Sequence, residues 1–117
     1  MVLSSSTCLS MGASTSSTDV TELTDRMPAI SEKPAHIQVY ITAKRDSGSE
    51  VEMGKVFCIL LASGNLQILC GWKSVGTDGY ILNGSPLITV EDDTVIISVK
   101  NSTSDATTFS AYVEILA

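Results

Sequence analysis

One histidine, three cysteines and thirteen carboxylates are the groups with which this 117-residue chain could do chemistry. His36 opens a strand-like run just after Pro34 and has no nucleophile beside it in the sequence. No Ser/His/Asp or Cys/His set is discernible, so acyl-transfer chemistry has no pattern to rest on. Cys8, Cys58 and Cys70 are odd in number and irregular in spacing, which is no disulfide framework. Cys58 and Cys70 lie in apolar runs and read as buried, reduced thiols. A bridge between them would need the two to face each other across a hairpin, and apolar company raises a thiol pKa rather than activating it. Metal binding by imidazole and thiolate fails on ligand number. Glu91, Asp92 and Asp93 put three carboxylates in one turn, a set that could meet Ca²⁺. Asp is also a common turn former through its own backbone hydrogen bonds, and a solvated turn is the plainer reading. A glycosidase would need a second acid across a cleft. Asp78 and Asp105 can be nominated, but nothing in the pattern singles them out. Asn101-Ser102-Thr103 matches a glycosylation sequon, a pattern short enough to arise by chance. No catalytic residue, cofactor site or metal site is assigned.

Binding chemistry has one aromatic candidate. Trp72 and Tyr80 flank the loop 76–79. Exposed aromatics on a β-sandwich make a platform for sugar rings, whereas the same residues turned inward are core or interface packing.

The elements that would hold these residues are strands. Residues 1–19 contain ten Ser or Thr and few large apolar groups, so by themselves they bury too little to offset their ordering entropy. Residues 20–33 are slightly richer and admit a short helical turn over 20–26, after which Pro28 and Pro34 keep the chain extended. Residues 1–35 therefore read as an extended or disordered Ser/Thr-rich arm, and 36–117 as the folded domain. From His36 the period becomes two: Ile37, Val39, Ile41 and Ala43 share one face. Turn signals at 45–49, 63–65, 76–79, 83–86, 91–93 and 101–106 separate further short apolar runs. In the last two runs Val95, Ile97 and Val99, then Phe109, Ala111, Val113 and Ile115, face one way. About seven short strands with regular turns give an all-β fold, an antiparallel β-sandwich or jelly roll with an extended N-terminal arm.

Two runs are more apolar than a half-wet strand requires. Residues 55–62 (KVFCILLA) are apolar on both faces, with Val56, Cys58 and Leu60 on one and Phe57, Ile59 and Leu61 on the other. A strand with one face in water should alternate, so the second face must be covered by the arm or by another subunit. The last strand runs apolar to its end and must be docked in a sheet or at a subunit contact. Phe57, Ile59, Leu61, Phe109, Tyr112, Val113, Ile115 and Leu116 are the candidate subunit-interface residues.

Bulk composition points the same way. Hydrophobic residues make up 44% and charged residues 17%, below the roughly 25% usual for soluble domains. Such a chain covers its surface with Ser, Thr, Asn and Gly or buries part of it against partners. The net charge is −6, and the adjacent basic pair Lys44-Arg45 is followed at once by Asp46. Direct nucleic-acid binding lacks the basic stripe it needs. The N-terminal residues have neither the basic nor the apolar region of a signal peptide. The most apolar stretch, 56–62, falls far short of the roughly 20 residues that span a bilayer. No membrane partner is expected.

Residues 79–117 resemble the C-terminal part of the compact trimeric jelly rolls related to tumour necrosis factor, which occur in collagen-like surface proteins, phage fibres and other virion appendages. The resemblance lies in 87–102 (LITVEDDTVIISVKNS), an apolar strand, acidic turn, Thr-Val strand and Asn-Ser loop. It continues in 107–117 (TTFSAYVEILA), which is similar to their final strand. It covers about a third of the chain and carries over no catalytic or metal residue. It implies a non-enzymatic virion structural protein made in the host cytoplasm: a phage capsid decoration, head-fibre or spike component. It implies a homotrimer that partners a capsid or other virion protein, attached through its arm. Deleting residues 1–30 should then leave a folded module that no longer attaches. The alternative from Trp72 and Tyr80 is a carbohydrate- or receptor-binding β-sandwich.

Overall fold

Strict alternation along Ala35–Arg45 sets the centre of the structure. Ala35, Ile37, Val39, Ile41 and Ala43 are buried, while His36, Tyr40 and Lys44 are exposed. The computed structural model describes residues 7–23, 29–77 and 79–116, with side chains from residue 11 onward. Eight strands follow in chain order: β1 (Thr7–Thr15), β2 (Val20–Glu22), β3 (Ala35–Arg45), β4 (Val51–Leu60), β5 (Leu66–Gly76), β6 (Leu87–Glu91), β7 (Thr94–Lys100) and β8 (Thr107–Leu116). The described residues contain no helix.

All pairings are antiparallel and make two sheets. The larger runs β1-β8-β3-β4-β5 and the smaller β2-β7-β6. This is the β-sandwich expected from the spacing of the turns. Its core lies between the sheets, built on one side from the inner residues of β3, β4 and β8. Leu23, Ile88, Val95, Ile97 and Val99 supply the other side. Phe109 is its largest fully buried side chain, and burying such groups contributes roughly 1.5–3 kcal/mol each.

The segment read as an arm takes part in both sheets. Residues 7–15 pair along the whole of β8, and Val20–Glu22 pair with residues 98–100 of β7. The composition admitted a helical turn over 20–26; 20–22 are strand, because β7 offers an open edge that an isolated turn could not match, and 24–26 lie outside the described residues. The C-terminal strand is interior to its sheet, held between β1 and β3, with Leu116 opposite His36. Residues 79–82, expected as a short strand, make only a single bridge, Leu82 to Asn101.

Two inward-facing charges on the large sheet meet loops instead of the small sheet. Glu52 is buried on β4, and its carboxylate accepts the N–H groups of Ile81 and Leu82 at 2.7 and 2.8 Å and the Ser74 hydroxyl at 2.6 Å. Arg45 is buried at the end of β3 and donates to Asn101 Oδ1 at 2.5 Å, Thr107 Oγ1 at 2.6 Å and Ser102 Oγ at 3.1 Å. Asn101 in turn donates to the Asp105 carbonyl and to Thr107 Oγ1. The sequon asparagine is thus buried and committed to a structural network.

Met11, Leu23 and Ile30 are buried in the core, so deletion of residues 1–30 removes core side chains as well as two strands. Buried Leu, Ile or Met truncations cost about 2–5 kcal/mol each. The shortened chain should therefore melt at least ~10 °C lower or fail to fold. Melting at the temperature of the full chain would show that the arm is dispensable to the domain.

Candidate interaction surface

The outer face of the large sheet is built by the second half of each strand's alternation. Register places its residues in rows that cross the strands. One row runs Tyr112, Tyr40, Lys55, Lys73 across β8, β3, β4 and β5. The row above holds Ser110, Thr42, Met53 and Val75. Below it lie Glu114, Gln38, Phe57 and Cys70, then Leu116, His36, Ile59 and Gln67. Met53 is 55% exposed and Val75 73%, unusual values for large apolar side chains grouped on one face. The Tyr40 and Tyr112 rings are 6.1 Å apart and tilted, and the Tyr40 hydroxyl donates to Gln38 Oε1 at 2.6 Å. A shallow groove of about 520 Å³ runs beside them, lined by Gly12, Thr42 and Ser110 among others.

The sequence-derived interface set divides between the two faces. Phe57, Ile59, Tyr112 and Leu116 lie on the outer face, and Leu61 is half-buried at the turn after β4. Phe109, Val113 and Ile115 point into the sandwich and are core, because β8 is interior to its sheet and its inner face meets the small sheet. In this fold those three offer no surface to a partner. The chief contacts of β1 and β2 are with β8, with β7 and with each other, so neither arm strand covers Phe57 and Ile59. The imidazole of His36 stacks on Phe57 at 5.8 Å and 14°, which gives it a packing role. Tyr40, Met53, Lys55, Lys73 and Val75 were not singled out from sequence. Tyr40 stands in the outward phase of the β3 alternation, and the other four, on β4 and β5, join it only when register aligns the strands.

β1 is one edge of this sheet and β5 the other. Its pairing with β4 is broken by two bulges, at Lys55/Phe57 and Phe57/Cys58, and bulges are a common means of blunting an edge. Ile68 and Leu69 are exposed there. The bulges also settle the cysteines. Cys58 faces the core opposite Ile68, while Cys70 pairs with Phe57, and both thiols are free. Burial pushes the Cys58 thiol up to about 11, and it lies 3.6 Å from the Ile37 carbonyl oxygen.

Trp72 and Tyr80 do come together. With Glu52, Ser74, Leu82, Gly84 and Ser85 they line a groove of about 330 Å³. Their settings differ: Tyr80 is 64% exposed, whereas Trp72 is half-buried and packs against the core. Its ring lies over Gly54, where an added Cβ would come within 2.6 Å of Trp72 Cη2 and 2.4 Å of the Lys73 carbonyl oxygen. A glycine on β4 is what lets the indole lie flat on the sheet.

The acidic turn is the β6–β7 hairpin tip. Asp92 and Asp93 hold φ of 50° and 62°, the left-handed region that Asp and Asn tolerate best. Asp93 is engaged with Lys33 Nζ at 2.9 Å. No group of three His, Cys, Asp or Glu side chains among the described residues is placed to hold a metal ion. Asp78 lies outside the described residues.

Two outcomes check these placements. Trp72→Ala should destabilise the fold by about 3 kcal/mol and Tyr80→Ala by no more than ~0.5 kcal/mol in chemical denaturation; equal effects would mean that the two aromatics share one environment. A variant keeping only Cys58 should resist thiol reagents at pH 8 until unfolded, because the fold favours the neutral thiol. By the same linkage its stability is retained at neutral pH and falls as pH rises toward 11. Rapid labelling of the native protein would contradict the burial.

Comparison with known proteins is sparse. No protein-family model matches the chain, and no curated protein matches it. Among solved structures it is similar to the tailspike protein of Acinetobacter phage vB_ApiP_P1, with a TM-score of 0.43 and 10% identity. The similarity covers 92% of this chain and 21% of that one, so the chain spans about a fifth of the tailspike's length.

Proposed function

We propose that this chain is a non-enzymatic structural module of a virion that assembles with copies of itself through the outer face of its large sheet. The observation that carries the reading is the apolar outer face of β4 and its neighbours. Phe57, Ile59, Met53 and Val75 lie on a face that neither β1 nor β2 covers. Of the two covers that the two-faced strand demanded, the arm strands β1 and β2 lie against β8 and β7, which favours a second subunit. Eleven residues of β3 at about 3.4 Å each, and five strands about 4.8 Å apart, outline roughly 700 Å². That is close to the ~800 Å² per partner of a standard interface.

The virion setting, as a phage capsid decoration, head-fibre or spike component, rests on the resemblance of residues 79–117 to trimeric jelly-roll modules. The homotrimer comes from the same source. Attachment to a capsid or other virion protein is assigned to the arm, 1–35. Its residues 7–15 pair with β8 of their own chain; the same pairing made to a neighbour's sheet is the mode by which an arm would join it. A second reading, a carbohydrate- or receptor-binding sandwich, is favoured by Trp72 and Tyr80 lining one groove.

Light scattering on the purified chain over a range of concentrations tests the first reading. A stable trimer is the expected result. A monomer at every concentration would overturn self-assembly through this face and leave the groove-binding reading.

A further inference from the structure

Charge on the outer face has the opposite sign to the chain. The strands of the large sheet direct Lys44, Lys55, Lys73 and Glu114 outward, three cations and one carboxylate, in a protein of net charge −6. Lys55 and Lys73 are direct cross-strand neighbours. Like charges in that position repel, and neither makes an ion pair or hydrogen bond among the described residues. They stand among Met53, Val75, Phe57 and Tyr40, so the pair is a cationic spot in an apolar field.

Most of the described carboxylates are engaged within their own chain. Glu52 accepts backbone N–H groups, Asp93 pairs with Lys33, Glu50 lies 3.7 Å from Arg45, and Asp46 and Asp105 accept threonine hydroxyls. Glu22 and Glu32 also have partners. Among the described residues the carboxylates without a side-chain partner are Asp19, Glu114, Glu91 and Asp92, and of these Glu91 and Asp92 are adjacent and exposed, at the tip of the β6–β7 hairpin.

Resting on the self-assembly reading above, we infer that the Lys55–Lys73 pair receives the Glu91–Asp92 hairpin tip of a second copy of this chain. The contact is heterologous, tip to face. Packing the outer face on itself about a two-fold at the Lys55–Lys73 pair would set four ammonium groups against one another, which disfavours that isologous dimer. Tip-to-face contacts repeat from copy to copy and close into a ring where the rotation allows it; a trimer is such a ring. The charge pair fixes register and orientation while the apolar rows supply the buried area.

A charge exchange tests this by sedimentation or light scattering of the full chain. Lys55→Glu with Lys73→Glu should raise the concentration at which the protein associates by tenfold or more. Glu91→Lys with Asp92→Asn should do the same, the asparagine keeping the left-handed φ at 92. All four side chains are exposed, and an unchanged melting temperature at low concentration verifies folding. A single chain carrying all four substitutions should associate again, because each exchange restores at every contact the sign that the other removes. Wild-type association should also weaken with salt. Association that survives the lysine exchange would sink the tip-to-face contact and leave self-assembly standing. Loss without recovery in the chain carrying all four substitutions would overturn it in favour of a different acidic partner. A wild-type chain that never associates removes both.

Discussion

The inner face of the large sheet is five strands wide, and the sheet laid over it has three. The excess width lies over β4 and the β3 end, where Glu52 and Arg45 point inward. A buried charge is costly unless it is fully hydrogen-bonded, and the loops around 80–82 and 101–107 supply those bonds. The two charges therefore fix where the crossing loops run. Those loops in turn carry Tyr80 to the groove beside Trp72 and hold the β7–β8 connection that feeds β8 into the middle of its sheet.

With the inner face closed in this way, the outer face is left to the solvent or to a partner. Its residues cannot be exchanged with the core set, because a one-residue register slip would move every side chain to the other side. The core demand on β3, β4 and β8 is what holds Tyr40, Lys55, Phe57 and Tyr112 in their rows. One of the two boundaries of this surface is β5, bulged twice, with Lys73 as its outward charge.

Sequence periodicity alone gave the strands from β3 onward, most of the turns and the inward set Ile37, Val39, Ile41, Val95, Ile97, Val99, Phe109, Ala111, Val113 and Ile115. These follow from the period of two and from turn residues, which are local properties. It also showed that β4 is apolar on both faces. Local pattern could not place the N-terminal segment. Residues 7–23 have little apolar content of their own, and their order comes from the open edges of β7 and β8.

Only the tertiary structure decided which residues share a surface. Phe109 and Tyr112 looked equally available in the last strand, yet one is the centre of the core and the other lies beside Tyr40. Cys58 and Cys70 read as buried thiols that a hairpin could have brought face to face, and a bulge between Phe57 and Cys58 sets Cys70 opposite Phe57 instead. Lys55 and Lys73 are eighteen positions apart in the chain, and nothing local marks them as neighbours. Strand register brings them together, and register is set by long-range burial of the opposite face rather than by any property of the lysines.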